Sequence, residues 1–127
     1  IIAAEIGYRE FAYNYFLQTV RLDLDDYNRN AWQGLHTACM AGSWMGIVNG
    51  FAGMRTFGGQ LSFRPFLPDK WQRYSFKVKF RGARLQITVL PGQVEYQLLA
   101  GESLSFYHFG QPVTLASGEA LRLEIPS

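Results

Sequence analysis

Two histidines, one cysteine, three aspartates close together and a glycine-serine pair are the residues through which this 127-residue chain could do chemistry. His36 stands just before Thr37, where an apolar run begins, and it precedes Gly42 and Ser43. A helix that starts at Thr37 presents unpaired backbone N–H groups and a partial positive charge beside His36, a setting that suits an anion. From pattern alone a hydrogen-bonded structural histidine is favoured, because no second titratable group stands at a diagnostic spacing. His108, in Tyr-His-Phe-Gly near a strand end, reads as a surface or core residue. Asp23, Asp25 and Asp26 lack the glycine-centred calcium pattern and read as solvated or capping carboxylates. Cys39, the only cysteine, excludes an intrachain disulfide and reads as a small core residue.

The element that must position His36 runs from Gly34 to Arg55. Met40, Trp44, Ile47, Val48 and Phe51 recur at intervals of three and four, and Gly42, Gly46 and Gly50 recur every fourth residue. A helix apolar or small on nearly all sides is expected to be buried. Each glycine costs about 1 kcal/mol of helix propensity relative to alanine, so a regular row of them implies that another backbone comes close. Upstream, Ile2, Ile6, Phe11, Tyr15 and Phe16 predict an amphipathic helix from Ile2 to about Val20. Arg21 to Asn30, rich in Asp and Asn, breaks that period and predicts a loop. The chain starts in helical periodicity without a capping residue and reads as a piece of something longer.

Beyond Gly53 the pattern changes. Gly58, Gly59, Pro65 and Pro68 forbid a continuous helix, which places a boundary near Thr56. Tyr74, Phe76, Val78 and Phe80 alternate with Ser75, Lys77, Lys79 and Arg81, the period of a strand with one face on a core. The same alternation returns at Leu85 to Val89, Val94 to Leu98, Leu104 to Phe106, Val113 to Leu115 and Leu121 to Ile125, with turn signals between the runs. Six or seven short antiparallel strands predict a small β-sandwich or jelly roll.

The net charge of +2 hides a basic middle: Arg55 to Arg84 holds eight Lys or Arg against the single Asp69. The strand alternation puts the aromatics opposite the lysines, whereas stacking on a nucleic-acid strand needs them together, so a core with a solvated face is the better reading. No run approaches the roughly 20 apolar residues of a membrane span. Neither nucleic acid nor membrane is expected as a partner.

The segments Ile1-to-Asn28, GLHTACMAGSWMGIVNGFAGMR and LSFRPFLPDKW followed by YSFKVKFRGARLQITV closely resemble the carboxy-terminal part of the maltose, kojibiose and trehalose phosphorylases of glycoside hydrolase family 65. The resemblance covers nearly the whole chain. It implies an α+β piece: the last helices of an (α/α)6 barrel over residues 1–56, a linker and opening strand over 57–73, and an antiparallel, jelly-roll-like β-sandwich over 74–127. The implied reaction is inverting phosphorolysis, in which phosphate attacks the anomeric carbon of an α-glucodisaccharide while a Glu protonates the leaving sugar, giving β-glucose 1-phosphate.

On that resemblance His36 and Ser43 are phosphate contacts and Gly42 is the backbone that admits the anion; Ser43 stands where the family often has Thr, which keeps the hydroxyl. Phosphate is then a co-substrate, with no cofactor and no metal. The general acid lies outside the chain, since Glu5 and Glu10 fall on the polar side of the first helix, so no catalytic residue is expected here and these residues alone should be inactive. The remaining barrel is the expected partner, a homodimer is compatible, and a cytoplasmic location is implied. The rival readings are a hydrolase using water on the same scaffold and a non-enzymatic β-sandwich that binds glycan or nucleic acid.

Overall fold

A computed structural model describes residues 1–126. The chain divides into two compact units, Ile1–Phe51 and the residues from Ala52 onward. The first is helical: α1 (Ile2–Glu5), α2 (Arg9–Arg21), a 3₁₀ turn at Ala31–Gln33 and α3 (Thr37–Met45), which runs into a π-helical segment at Gly46–Phe51. The single helix expected from Ile2 to Val20 is two. Gly7 takes φ 87° and Tyr8 leaves helical geometry, so the chain turns between them although the apolar spacing carries on across the break.

The glycine row, Gly42 in α3 with Gly46 and Gly50 in the π-helical segment, faces α2 and Ile1. A Cβ on Gly42 would stand 3.5 Å from Thr19 Cγ2, one on Gly46 would stand 3.0 Å from Phe16 Cδ2, and one on Gly50 would stand 3.7 Å from Ile1 Cα. The close neighbours are thus α2 side chains and the Ile1 backbone. The expectation of an all-round buried helix is corrected: Val48 and Phe51 are buried, but Met40 and Trp44 are 56% and 52% exposed. After Met45 the helix widens to i→i+5 turns, and the buried Val48 and Phe51 both lie in that wider segment.

Among the described residues the second unit holds seven strands: β1 (Ser62–Phe63), β2 (Tyr74–Phe80), β3 (Ala83–Leu90), β4 (Gln93–Ala100), β5 (Ser103–His108), β6 (Gln111–Ala116) and β7 (Ala120–Glu124). They form a sheet of order β1-β5-β6 and another of order β2-β3-β4-β7. All pairings are antiparallel except β1 on β5, which is parallel and departs from the antiparallel expectation. Hairpin turns follow the local chemistry. Arg81-Gly82 and Phe109-Gly110 join paired strand ends with positive φ at both central residues, the geometry that matches strand twist.

Period-two patterning delivers the core. Leu85, Ile87 and Val89 of β3 and Val94, Tyr96 and Leu98 of β4 are fully buried, as is Leu115 of β6. The two sheets meet at Tyr96, whose ring centroid is 4.7 Å from that of Phe106 on β5 and 5.5 Å from that of Phe63 on β1. Each such aliphatic side chain contributes about 1.5–3 kcal/mol by leaving water. Lys77 and Lys79 lie on the exposed face of β2 and Tyr74 and Val78 on the buried one, as the alternation requires.

Candidate functional site around His36

His36 is the residue that begins α3, with extended backbone angles of φ −81° and ψ 94°. Extended geometry at a helix start frees the backbone N–H and ring of that residue to turn toward the loop that precedes it. Both find Asp23. The His36 backbone N–H donates to Asp23 Oδ2 at 2.9 Å, and His36 Nδ1 is hydrogen-bonded to Asp23 Oδ1. On the other side of the ring, Nε2 lies 3.3 Å from Asn30 Nδ2. The His36 side chain keeps 30% of its surface accessible and Asp23 keeps 15%, so the pair is half-buried at an open edge.

The sequence shows no titratable partner for His36 at a diagnostic spacing; the structure supplies one thirteen residues upstream, and of the solvated or capping roles expected for Asp23 it takes the capping one, on the N–H at the start of α3. The hydrogen bond from the His36 ring, followed by the one from its backbone, holds the Asp23 carboxyl below its ordinary carboxylate value, against the opposing effect of burial. Asp25 does behave as a surface residue: both its oxygens are taken by Arg21 at 2.7 Å, one helical turn away. Asn30 is the third member of the group. Its only local signal was membership of an Asp- and Asn-rich loop, and nothing in the spacing tied that loop to His36.

The other expected site residues lie farther along α3. Gly42 is on the face packed against Thr19 of α2. Ser43 Oγ donates to the Cys39 carbonyl at 2.7 Å, a bond back to the preceding turn that occupies its proton. Cys39 is half-buried, not a core residue. Chemically, the Asp23–His36–Asn30 group can hold an imidazole in one orientation and present it to an anion or a hydroxyl. Among the described residues no group of three or more His, Cys, Asp or Glu could hold a metal ion, and no helix is long and apolar enough to cross a membrane.

The comparisons with known proteins fall on both units. Residues 1–45 match the model of the glycosyl hydrolase family 65 central catalytic domain, and residues 54–115 match that of the glycosyl hydrolase family 65 C-terminal domain. An alpha,alpha-trehalose phosphorylase of Thermoanaerobacter brockii is 44% identical over 119 residues, which is 94% of this chain and 15% of that protein. A maltose phosphorylase of Bacillus subtilis (strain 168) is 44% identical over 115 residues, 91% of this chain and 15% of that protein. A solved structure described as "Putative kojibiose phosphorylase from human microbiome" superposes with a TM-score of 0.91 at 32% identity, over 99% of this chain and 18% of that one. The chain therefore spans only about 15% of the length of the curated relatives it matches. With a helical unit matching the central catalytic domain, a two-sheet unit matching the C-terminal domain, and relatives 44% identical over nine-tenths of its length, the chain belongs to glycoside hydrolase family 65.

Proposed function

We propose that the chain is the carboxy-terminal part of an inverting glycoside phosphorylase that cleaves an α-glucodisaccharide with inorganic phosphate, releasing β-glucose 1-phosphate and a sugar. The observation that carries this reading is His36, held by Asp23 at the start of α3, in a chain 44% identical to a trehalose and a maltose phosphorylase. Phosphate arrives as an anion, so the protein must orient it and favour it over water; a histidine and a hydroxyl can both donate to its oxygens. In this reading His36 and Ser43 contact phosphate, with Ser43 turning its proton from the Cys39 carbonyl to the anion. Gly42 lets the anion approach the backbone. The general acid and the residues that select the disaccharide belong to the rest of the catalytic barrel, which is this chain's partner in the working enzyme. Phosphate is the only co-substrate required, and the enzyme works in the cytoplasm.

The test uses the full-length protein that carries this chain, given maltose, trehalose, kojibiose and nigerose with and without phosphate. Glucose 1-phosphate of β configuration is the expected product with one of them. Release of free glucose alone, independent of phosphate, would establish the hydrolase instead. A lost hydrogen bond to a charged group is worth about 1.5–3 kcal/mol, so His36→Ala is expected to raise the KM for phosphate on the order of ten- to a hundredfold while the protein stays folded. Unchanged phosphate kinetics would remove His36 from the site.

A further inference from the structure

We infer that Asp23 is the positioning residue of the phosphate site: it fixes the ring of His36 so that Nε2 alone is the nitrogen presented to the anion. The inference rests on the reading of His36 as a phosphate contact and adds to it a residue that need not touch substrate. One carboxylate grips a single histidine at two points, Oδ2 on its backbone N–H at 2.9 Å and Oδ1 on its ring Nδ1. A grip at both backbone and ring leaves neither torsion of the side chain free to turn.

A carboxylate only accepts, so the shared proton belongs on Nδ1 and the tautomer is set. Nε2 is then the one ring nitrogen with an open choice of partner. Asn30 Nδ2, 3.3 Å away, is at the long end of hydrogen bonding and can yield that position to a ligand. When Nε2 also carries a proton, both ring nitrogens donate, Nδ1 to Asp23 and Nε2 to a phosphate oxygen. Without the carboxylate the ring can turn and take either tautomer, so most of its population would offer the wrong atom or the wrong direction.

The test compares Asp23→Asn, Asp23→Glu, His36→Ala and the double variant Asp23→Asn with His36→Ala, all in the full-length protein carrying this chain. Partners that orient a functional histidine are typically worth about ten- to a hundredfold. Asp23→Asn is expected to raise the KM for phosphate by about tenfold, with the KM for disaccharide unchanged. Asp23→Glu, which restores the carboxylate on a longer arm, should recover part of the loss. Because Asp23 acts through His36, the double variant should match His36→Ala alone. A phosphate KM that stays at the wild-type value in Asp23→Asn, or a double variant whose loss is the product of the two single losses, would overturn the assignment. If Asp23→Asn does not fold, the Asp23→Glu kinetics decide by the same split between the two KM values. Wild-type protein that shows no phosphate-dependent product would instead refute the phosphorylase reading itself and this inference with it.

Discussion

His108 shows how much a single residue's meaning depends on what surrounds it. It is 7% exposed, and both ring nitrogens are engaged: the Tyr96 hydroxyl donates to Nδ1 at 3.0 Å, and Nε2–H donates to the Glu124 carbonyl at 2.9 Å. The ring thus ties β5 to β4 and to the end of β7, across the two sheets. Burial pushes its pKa below the ordinary histidine value, with the Glu124 carbonyl opposing it more weakly. In the unfolded chain the imidazole takes up a proton near the usual pH of about 6.5, whereas in the folded chain it resists to lower pH. The unfolded state therefore binds more protons in that window, so the second unit's stability is full above it and falls as pH drops through it. A thermal midpoint that declines between pH 7.5 and 5.5 is expected; one flat across that range would contradict the assignment. Tyr96→Phe leaves Nδ1 without a donor and should cost about 1–3 kcal/mol in denaturant unfolding at pH 7.5.

At the scale of elements the glycines separate into roles that their spacing alone did not distinguish. Gly53 takes φ 59°, and a Cβ there would stand 2.7 Å from the Arg64 carbonyl oxygen. It lies between Ala52, whose carbonyl accepts from Arg64 N–H at 3.1 Å, and Arg55, which pairs with Ser62 at the start of β1. Gly53→Ala thus meets both a left-handed backbone and a backbone clash and should cost about 1–3 kcal/mol or more by chemical denaturation. Gly42→Ala meets only ordinary contact, 3.5 Å from Thr19 Cγ2, in helical backbone where alanine is favoured by about 1 kcal/mol. Its melting temperature should hold or rise, while under the phosphate reading its KM for phosphate should increase. A variant whose phosphate KM is unchanged would remove Gly42 from the phosphate site. The strands of the second unit were legible because side-chain alternation and turn residues act within a few positions of one another. The break at Gly7 was not, since a residue with positive φ leaves the apolar spacing on either side intact.

The whole molecule is uneven in how its parts hold together. Among the described residues of Ile1–Phe51, the buried apolar side chains are Ala12, Val48 and Phe51, while Ile2, Phe11, Trp32, Met40 and Trp44 are exposed. The β-unit has a continuous core from Leu61 to Leu115. A helical pair with so little buried area is marginal in water, whereas two packed sheets unfold cooperatively. Hydrogen exchange on residues 1–127 is accordingly expected to protect β3 and β4 strongly and α2 weakly; equal protection in both would refute this division. Under the proposed function, which puts the general acid outside residues 1–127, the same polypeptide should carry out no phosphorolysis, and any glucose 1-phosphate it released would show otherwise.

The sequence by itself determined the helix-then-sheet order, the strand faces, the glycine row and the family, because each is carried by short-range periodicity or by a contiguous motif. Only the tertiary structure decided that β1 runs parallel to β5, that His108 reaches the Glu124 carbonyl, and above all that Asp23 holds His36. Such pairings are made across loops, where several carboxylates and carbonyls compete for one donor. The winner is set by the path of the loop, and that path leaves no repeat in the sequence to read.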